Sequence, residues 1–202
     1  DAIGMRDFDD ALAKTLLGSE RRLVMSEADR RRTAHHEAGH ALVGMLSPNA
    51  DPVRRISIIP RGTALGVTYA APDADRYSYS REELLTKIRV ALGGRAAELL
   101  VYGDATTGAE ADIEQLTVLA RQMVGRWGMS EAVGPIAVIP AETRAMLLPP
   151  SAEASPESRR LVDAEVRRII DGAHEDVMAM LAENRDRLEA LTAALLEAET
   201  LD

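Results

Sequence analysis

The stretch Thr33-Ala34-His35-His36-Glu37-Ala38-Gly39-His40-Ala41 decides how this chain is read, as a helical fold built around a metal site. Helical spacing over Ser26 to Leu46 puts His36 and His40 at i and i+4, on one face of one helix. Two imidazoles one turn apart can reach a single ion, and Glu37 can lie beside a water on it. Zinc in such a site lowers the pKa of its water from about 15.7 to about 7, and a neighbouring carboxylate takes the proton. The implied reaction class is amide hydrolysis. Three of the chain's four histidines fall between positions 35 and 40, which argues against accident. A helix with incidental histidines, the bland reading, would bind no metal.

Working outward, Ser26 with Asp29 is a cap for this helix, and Pro48 stops it. Phe8, Ala11, Leu12, Thr15 and Leu16 predict a short amphipathic helix upstream, ending at Gly18. Ile56-Ser57-Ile58-Ile59 and Leu65-Gly66-Val67-Thr68-Tyr69 predict two strands around Pro60-Arg61-Gly62. An edge strand of such a sheet could pair with an extended peptide. A purely structural hairpin fits the same residues equally well.

Ser80 with Glu83 predicts another capped helix, with Gly93-Gly94 interrupting its pattern before Arg95 to Val101 resume it and Gly103 ends it. Thr107 with Glu110 predicts the next cap. Ile113, Leu116, Ala120, Met123, Val124 and Trp127 then form a buried stripe, which makes Trp127 a core residue. Residues 141–155, rich in Ala, Pro and Ser, read as a flexible connector. Pro156 opens two amphipathic helices that break near Asn184 and carry Leu181, Leu188, Leu191, Leu195 and Leu196 as anchors. The fold class is therefore mainly α, with a small β-hairpin and a C-terminal helical hairpin.

Composition excludes several functions. The 202 residues are 46% apolar and 28% charged, which is globular composition. There is no cysteine, so thiolate zinc, disulfides and a cysteine nucleophile are out. Against 33 acidic residues stand 24 basic ones, a formal charge of −9 that disfavours nucleic acid as a partner. No apolar run of about 18 residues or signal-peptide core occurs. The first residue is not methionine, and the chain is expected to be a piece of something longer.

Catalytic zinc takes three protein ligands and leaves one position open. His174 is far along the chain, so the third ligand is expected among Glu98, Asp104, Glu110, Asp112 and Glu114. Spacing alone leaves both Glu98 and Asp112 open.

The zinc motif, with Leu92-Gly93-Gly94-Arg95-Ala96-Ala97-Glu98 and Thr106-Thr107-Gly108-Ala109, resembles the peptidase domain of the FtsH-type membrane AAA proteases. The resemblance extends through residues 75–84 and Trp127-Gly128-Met129-Ser130-Glu131, and more weakly into the last helices. It implies a helical zinc metallopeptidase domain with His36, His40 and Asp112 as ligands and Glu37 as base. Glu98 would orient a ligand imidazole, with direct ligation as its alternative role. In this chain His35 stands where a tyrosine is common, and Ala111 where an asparagine usually precedes the aspartate.

The resemblance also implies a division: residues 1–25 as the tail of an ATPase module and a connector, 26–140 as the peptidase core, 141–155 as a connector, and 156–202 as a helical hairpin packed on that core. No Gly-x-x-x-x-Gly-Lys-Ser/Thr phosphate loop is present. The implied activity is Zn2+-dependent cleavage of unfolded or misfolded polypeptides, including membrane proteins, fed by an ATPase ring elsewhere in the parent. Homo-oligomerisation as a hexameric ring and a membrane-anchored parent, with this domain on the cytoplasmic or organellar matrix or stromal side, follow from the same resemblance. The alternative is a ring-forming structural module whose zinc is structural and whose proteolysis is lost or latent.

Overall fold

Helix α1, Glu27–Leu46, starts where the Ser26 hydroxyl accepts from the Asp29 N–H at 3.1 Å and ends at Ser47, just before Pro48. The structure, a computed structural model, describes residues 25–139 except 63, 73 and 75, residues 154–202, and residues 4, 11, 14 and 15. Every residue of α1 from Ala34 to Gly44 is buried, so its polar groups in that stretch must find partners inside the protein. This is the central helix. Most of the expected helix around Phe8 to Leu16, of which residues 11, 14 and 15 are helical, and nearly all of the connector 141–155 lie outside the described residues.

Helix α2, Arg81–Tyr102, packs across α1 and is held at its start by a complete capping box between Ser80 and Glu83. Gly103 closes it in the left-handed conformation, at φ 77°. Gly93 and Gly94 do not interrupt it, contrary to the pattern in the sequence. Each costs a helix interior about 1 kcal/mol relative to alanine. The crossing with α1 is what needs them: a Cβ on Gly93 would lie 2.6 Å from the Gly39 carbonyl oxygen, and one on Gly39 would lie 2.3 Å from that of Gly93.

Strands β1 (Val53–Ser57) and β2 (Val67–Ala70) pair antiparallel, with Ile56 opposite Thr68 and Ser57 opposite Val67. A third strand, β3 (Thr200–Leu201), joins the other side of β1, so the order is β2-β1-β3 and β2 is an edge. Sequence placed β1 at Ile56 to Ile59, following apolarity. The ladder instead begins at Val53 and takes in Arg54 and Arg55, because Val53 and Arg55 pair with Ala70 and Tyr69 of β2, with an irregularity between them.

A single 3-10 turn, Thr107–Ala109, leads into α3, Glu110–Gly125. Thr106, not Thr107, caps that turn through its side chain, and α3 itself has no side-chain cap. Leu116, Ala120, Met123 and Val124 are buried as expected, but Ile113 is 38% and Trp127 44% exposed. Trp127 lies beyond the end of α3, so the helical stripe no longer governs where it points. Ile113 lies in the first turns of α3, where burial of the stripe has not yet begun.

Helices α4 (Pro156–Glu183) and α5 (Arg185–Ala198) meet at Asn184. Ser155 caps α4 with Pro156 in its first turn. α4 packs on α2 and α3, and α5 packs on α1. Val177, Leu181, Leu188 and Leu195 thereby join the same core as Val43, Leu92 and Met123. No helix among the described residues is long and apolar enough to cross a membrane.

Candidate metal centre

One turn of α1 carries His36 and His40, and both imidazoles are oriented by bonds on the far side of the ring. His36 Nδ1 lies 2.8 Å from Glu98 Oε1, and His40 Nδ1 lies 2.7 Å from the Val90 carbonyl oxygen. Both acceptors come from α2. Each Nδ1 therefore donates, which leaves each Nε2 with a lone pair directed at the same point. The two Nε2 atoms are 3.0 Å apart. Asp112, in the first turn of α3, brings Oδ2 to 3.3 Å from His36 Nε2 and 3.4 Å from His40 Nε2.

That triangle has the size of a metal site. With bonds of about 2.0–2.1 Å, two ligands of a tetrahedral zinc ion sit about 3.3–3.4 Å apart. Two lone pairs 3.0 Å apart would repel unless a cation or a proton lay between them. Among the described residues, His36, His40 and Asp112 are the one group of at least three such side chains able to share an ion.

The electrostatics agree. Burial opposes a charged His36, yet Asp112 and Glu98 outweigh it and push its pKa up to about 10. Burial also opposes a charged Asp112, but His36 and His40 hold it well below the usual carboxylate range. Burial would raise Glu98, but bonds from His36 and Thr106 leave it lowered. The pocket thus calls for positive charge where the three donors meet.

Glu98 is 1% exposed and stands behind His36, not in the triangle. Its Oε2 accepts from the Thr106 N–H at 2.9 Å and from Arg32 at 3.3 Å. Arg32 also bonds Asp104 at 2.8 Å, which uses a second of the candidate carboxylates outside the centre. Glu37, between the two histidines in sequence, is buried. Burial pushes its pKa up, against the pull of His40, His36 and the Thr68 hydroxyl. A carboxylate raised in this way holds a proton more readily than an exposed one.

His35 points away from the centre, as successive helical residues must. Its Nδ1 sits 3.0 Å from the Arg31 carbonyl oxygen and 2.9 Å from the Tyr102 hydroxyl, and its Nε2 3.2 Å from Glu189 on α5. Ala111 is exposed. Thr68, Thr106, Arg32 and the Val90 carbonyl were not assigned roles at the site from the sequence. Thr68 and Thr106 lay within quoted segments, a predicted strand and the Thr-Thr-Gly-Ala run, but neither signal pointed to the centre.

Gly94 completes the centre by omission. A Cβ there would lie 2.5 Å from His36 Nε2, so glycine is what lets α2 pass the His36 ring where it stands.

The chain matches the model of peptidase family M41 over residues 23–202. It is 62% identical over 196 residues to the ATP-dependent zinc metalloprotease FtsH 3 of Conexibacter woesei, covering 97% of this chain and 26% of that protein. It is 51% identical over 203 residues to the ATP-dependent zinc metalloprotease FtsH of Thermobaculum terrenum, covering 99% and 31%. The corresponding protein of Syntrophus aciditrophicus is 49% identical over 209 residues, covering 100% and 28%. The chain thus spans between a quarter and a third of the length of these relatives. By its sequence across nearly every residue, and with a helical fold built around a His-His-Asp centre, this chain belongs to the metallopeptidase family M41, as an FtsH-type peptidase domain.

Proposed function

We propose that this chain is a zinc-dependent endopeptidase in which His36, His40 and Asp112 hold the ion, Glu37 is the base and Glu98 orients His36. The observation that carries the reading is the triangle of Nε2, Nε2 and Oδ2 atoms with edges of 3.0, 3.3 and 3.4 Å. Zinc bound there supplies Lewis acidity, which acidifies a water and polarises a substrate carbonyl. Glu37 takes the proton of the attacking water on its carboxylate and delivers it to the leaving amine. Glu98 and the Val90 carbonyl keep both imidazoles in the tautomer that presents Nε2. β2 offers the unpaired edge along which an extended peptide can lie.

Structural zinc is closed by four protein ligands, whereas three donors meet here among the described residues. That favours cleavage over a purely structural role. In the same reading the substrates are unfolded or misfolded polypeptides, delivered by an ATPase ring on a membrane-anchored hexamer. Residues 1–25 then belong to the junction with the ATPase module, 26–140 and 156–202 to the peptidase, and 141–155 to a connector between them.

The test is Glu37→Gln, assayed on an unfolded protein such as casein. Hydrolysis should disappear while zinc stays bound. Unchanged turnover would refute the mechanism, and bound zinc without proteolysis by the parent in any assembly state would favour the structural module.

A further inference from the structure

Gly66, the residue just before β2, and Thr68 within it both lie against Glu37. A Cβ on Gly66 would sit 2.7 Å from Glu37 Oε1 and 2.8 Å from its Cγ, so glycine leaves the room in which the carboxyl group lies. Two residues on, Thr68 Oγ1 lies 2.8 Å from Glu37 Oε2 and 3.0 Å from the Glu37 carbonyl oxygen. A hydroxyl has one proton, and an ionised carboxylate is the stronger acceptor, so the shorter contact takes it. Glu37 Oε1 has no hydrogen-bond partner among the described residues.

We propose that Thr68 is a positioning residue for the Glu37 base: its hydroxyl holds Oε2 in place, which fixes the carboxylate and leaves Oε1 free to take a proton. The inference rests on the peptidase reading above. It adds a role for the edge strand in setting the base, because Gly66 and Thr68 together define one seat for a side chain with three rotatable bonds. A strand that only supported the core would need neither the hydroxyl nor the missing Cβ.

Thr68→Val removes the hydroxyl with little change of shape, and Thr68→Ser keeps it. With casein as substrate, Thr68→Val is expected to lower kcat by about 10–100-fold, the usual effect of losing such a partner. KM and bound zinc should stay as in the parent, and Thr68→Ser should restore most of the rate. A hydroxamate inhibitor, whose hydroxyl donates to the base carboxylate, should bind the Val variant more weakly than the Ser variant. On a Glu37→Gln background, Thr68→Val should change nothing further.

Parental kcat in Thr68→Val, or a Ser variant as slow as the Val variant, overturns the proposal. If Thr68→Val does not fold, Thr68→Ala with the same readouts decides. Hydrolysis that survives Glu37→Gln would overturn the peptidase mechanism itself, a result separable from both.

Discussion

Replacing Gly94 by alanine puts a methyl group into the space that His36 occupies. Its Cβ would lie 2.5 Å from Nε2 and 2.6 Å from both Cδ2 and Cε1. Ordinary contact needs about 3.5 Å, so the ring must retreat by about 1 Å. Zinc sites accept errors of about 0.2 Å in bond length, so a retreat of that size breaks the bond at Nε2. The ring cannot slide to compensate, because Nδ1 is anchored 2.8 Å from the buried Glu98. The expected loss is at least about 100-fold in zinc affinity, or about 2.7 kcal/mol. Stability of the metal-free chain should change less, since overpacking of about 1–3 kcal/mol is offset by about 1 kcal/mol of helix propensity. Gly93→Ala is the control: its Cβ meets backbone, the Gly39 oxygen at 2.6 Å and the His40 Cα at 2.9 Å. Backbone cannot rotate aside, so that variant should lose folding stability first. Competition with a chromophoric chelator measures zinc affinity, and urea unfolding of the metal-free chains measures stability. Gly94→Ala with zinc affinity within about threefold of the parent would refute the reasoning, since a lost ligand costs far more.

Glu98→Gln keeps the shape but removes the charge behind His36, and should weaken zinc binding by about 10–100-fold in the same chelator assay. In the metal-free chain, His36 has a folded pKa raised from 6.5 to about 10. Its contribution to stability is therefore complete below about pH 6.5 and lost as pH rises through about 10, which urea midpoints across that range would show and His36→Gln should abolish. At pH 8 zinc should displace a proton from His36, read as a dependence of the calorimetric heat on buffer ionisation enthalpy.

Much of this fold was legible because its signals are local. Ser26, Ser80 and Gly103 mark helix ends through bonds to residues within four positions, and Pro156 through its fixed φ and missing N–H, and the structure places ends at each. The glycines of α2 were misread for the opposite reason. Within one helix Gly93-Gly94 looks like a break, and only the approach of α1, more than fifty residues earlier in sequence, reveals why side chains are excluded there. The third strand was invisible for a similar cause: Thr200 and Leu201 become a strand only because β1 lies beside them. Trp127 was assigned to the core by extending a helical period past Gly125, where the helix has already ended.

The choice between Glu98 and Asp112 could not be made from spacing because both face His36, on opposite sides of its imidazole. Glu98 Oε1 faces His36 Nδ1, and Asp112 Oδ2 faces its Nε2. The two carboxylates are also linked through the backbone. Glu98 Oε2 accepts from the Thr106 N–H, and Thr106 caps the turn that runs directly into α3 and Asp112. One buried carboxylate thus fixes a ring of α1 and the entry of the segment that supplies the third donor. This accounts for the position of Asp112 being kept with alanine at 111. Ala111 is exposed, and Asp112 still reaches both histidines, because the path into α3 is held at Thr106 by Glu98. An asparagine side chain at 111 is not needed for that geometry, in which Glu98 holds both the His36 ring and the Thr106 N–H.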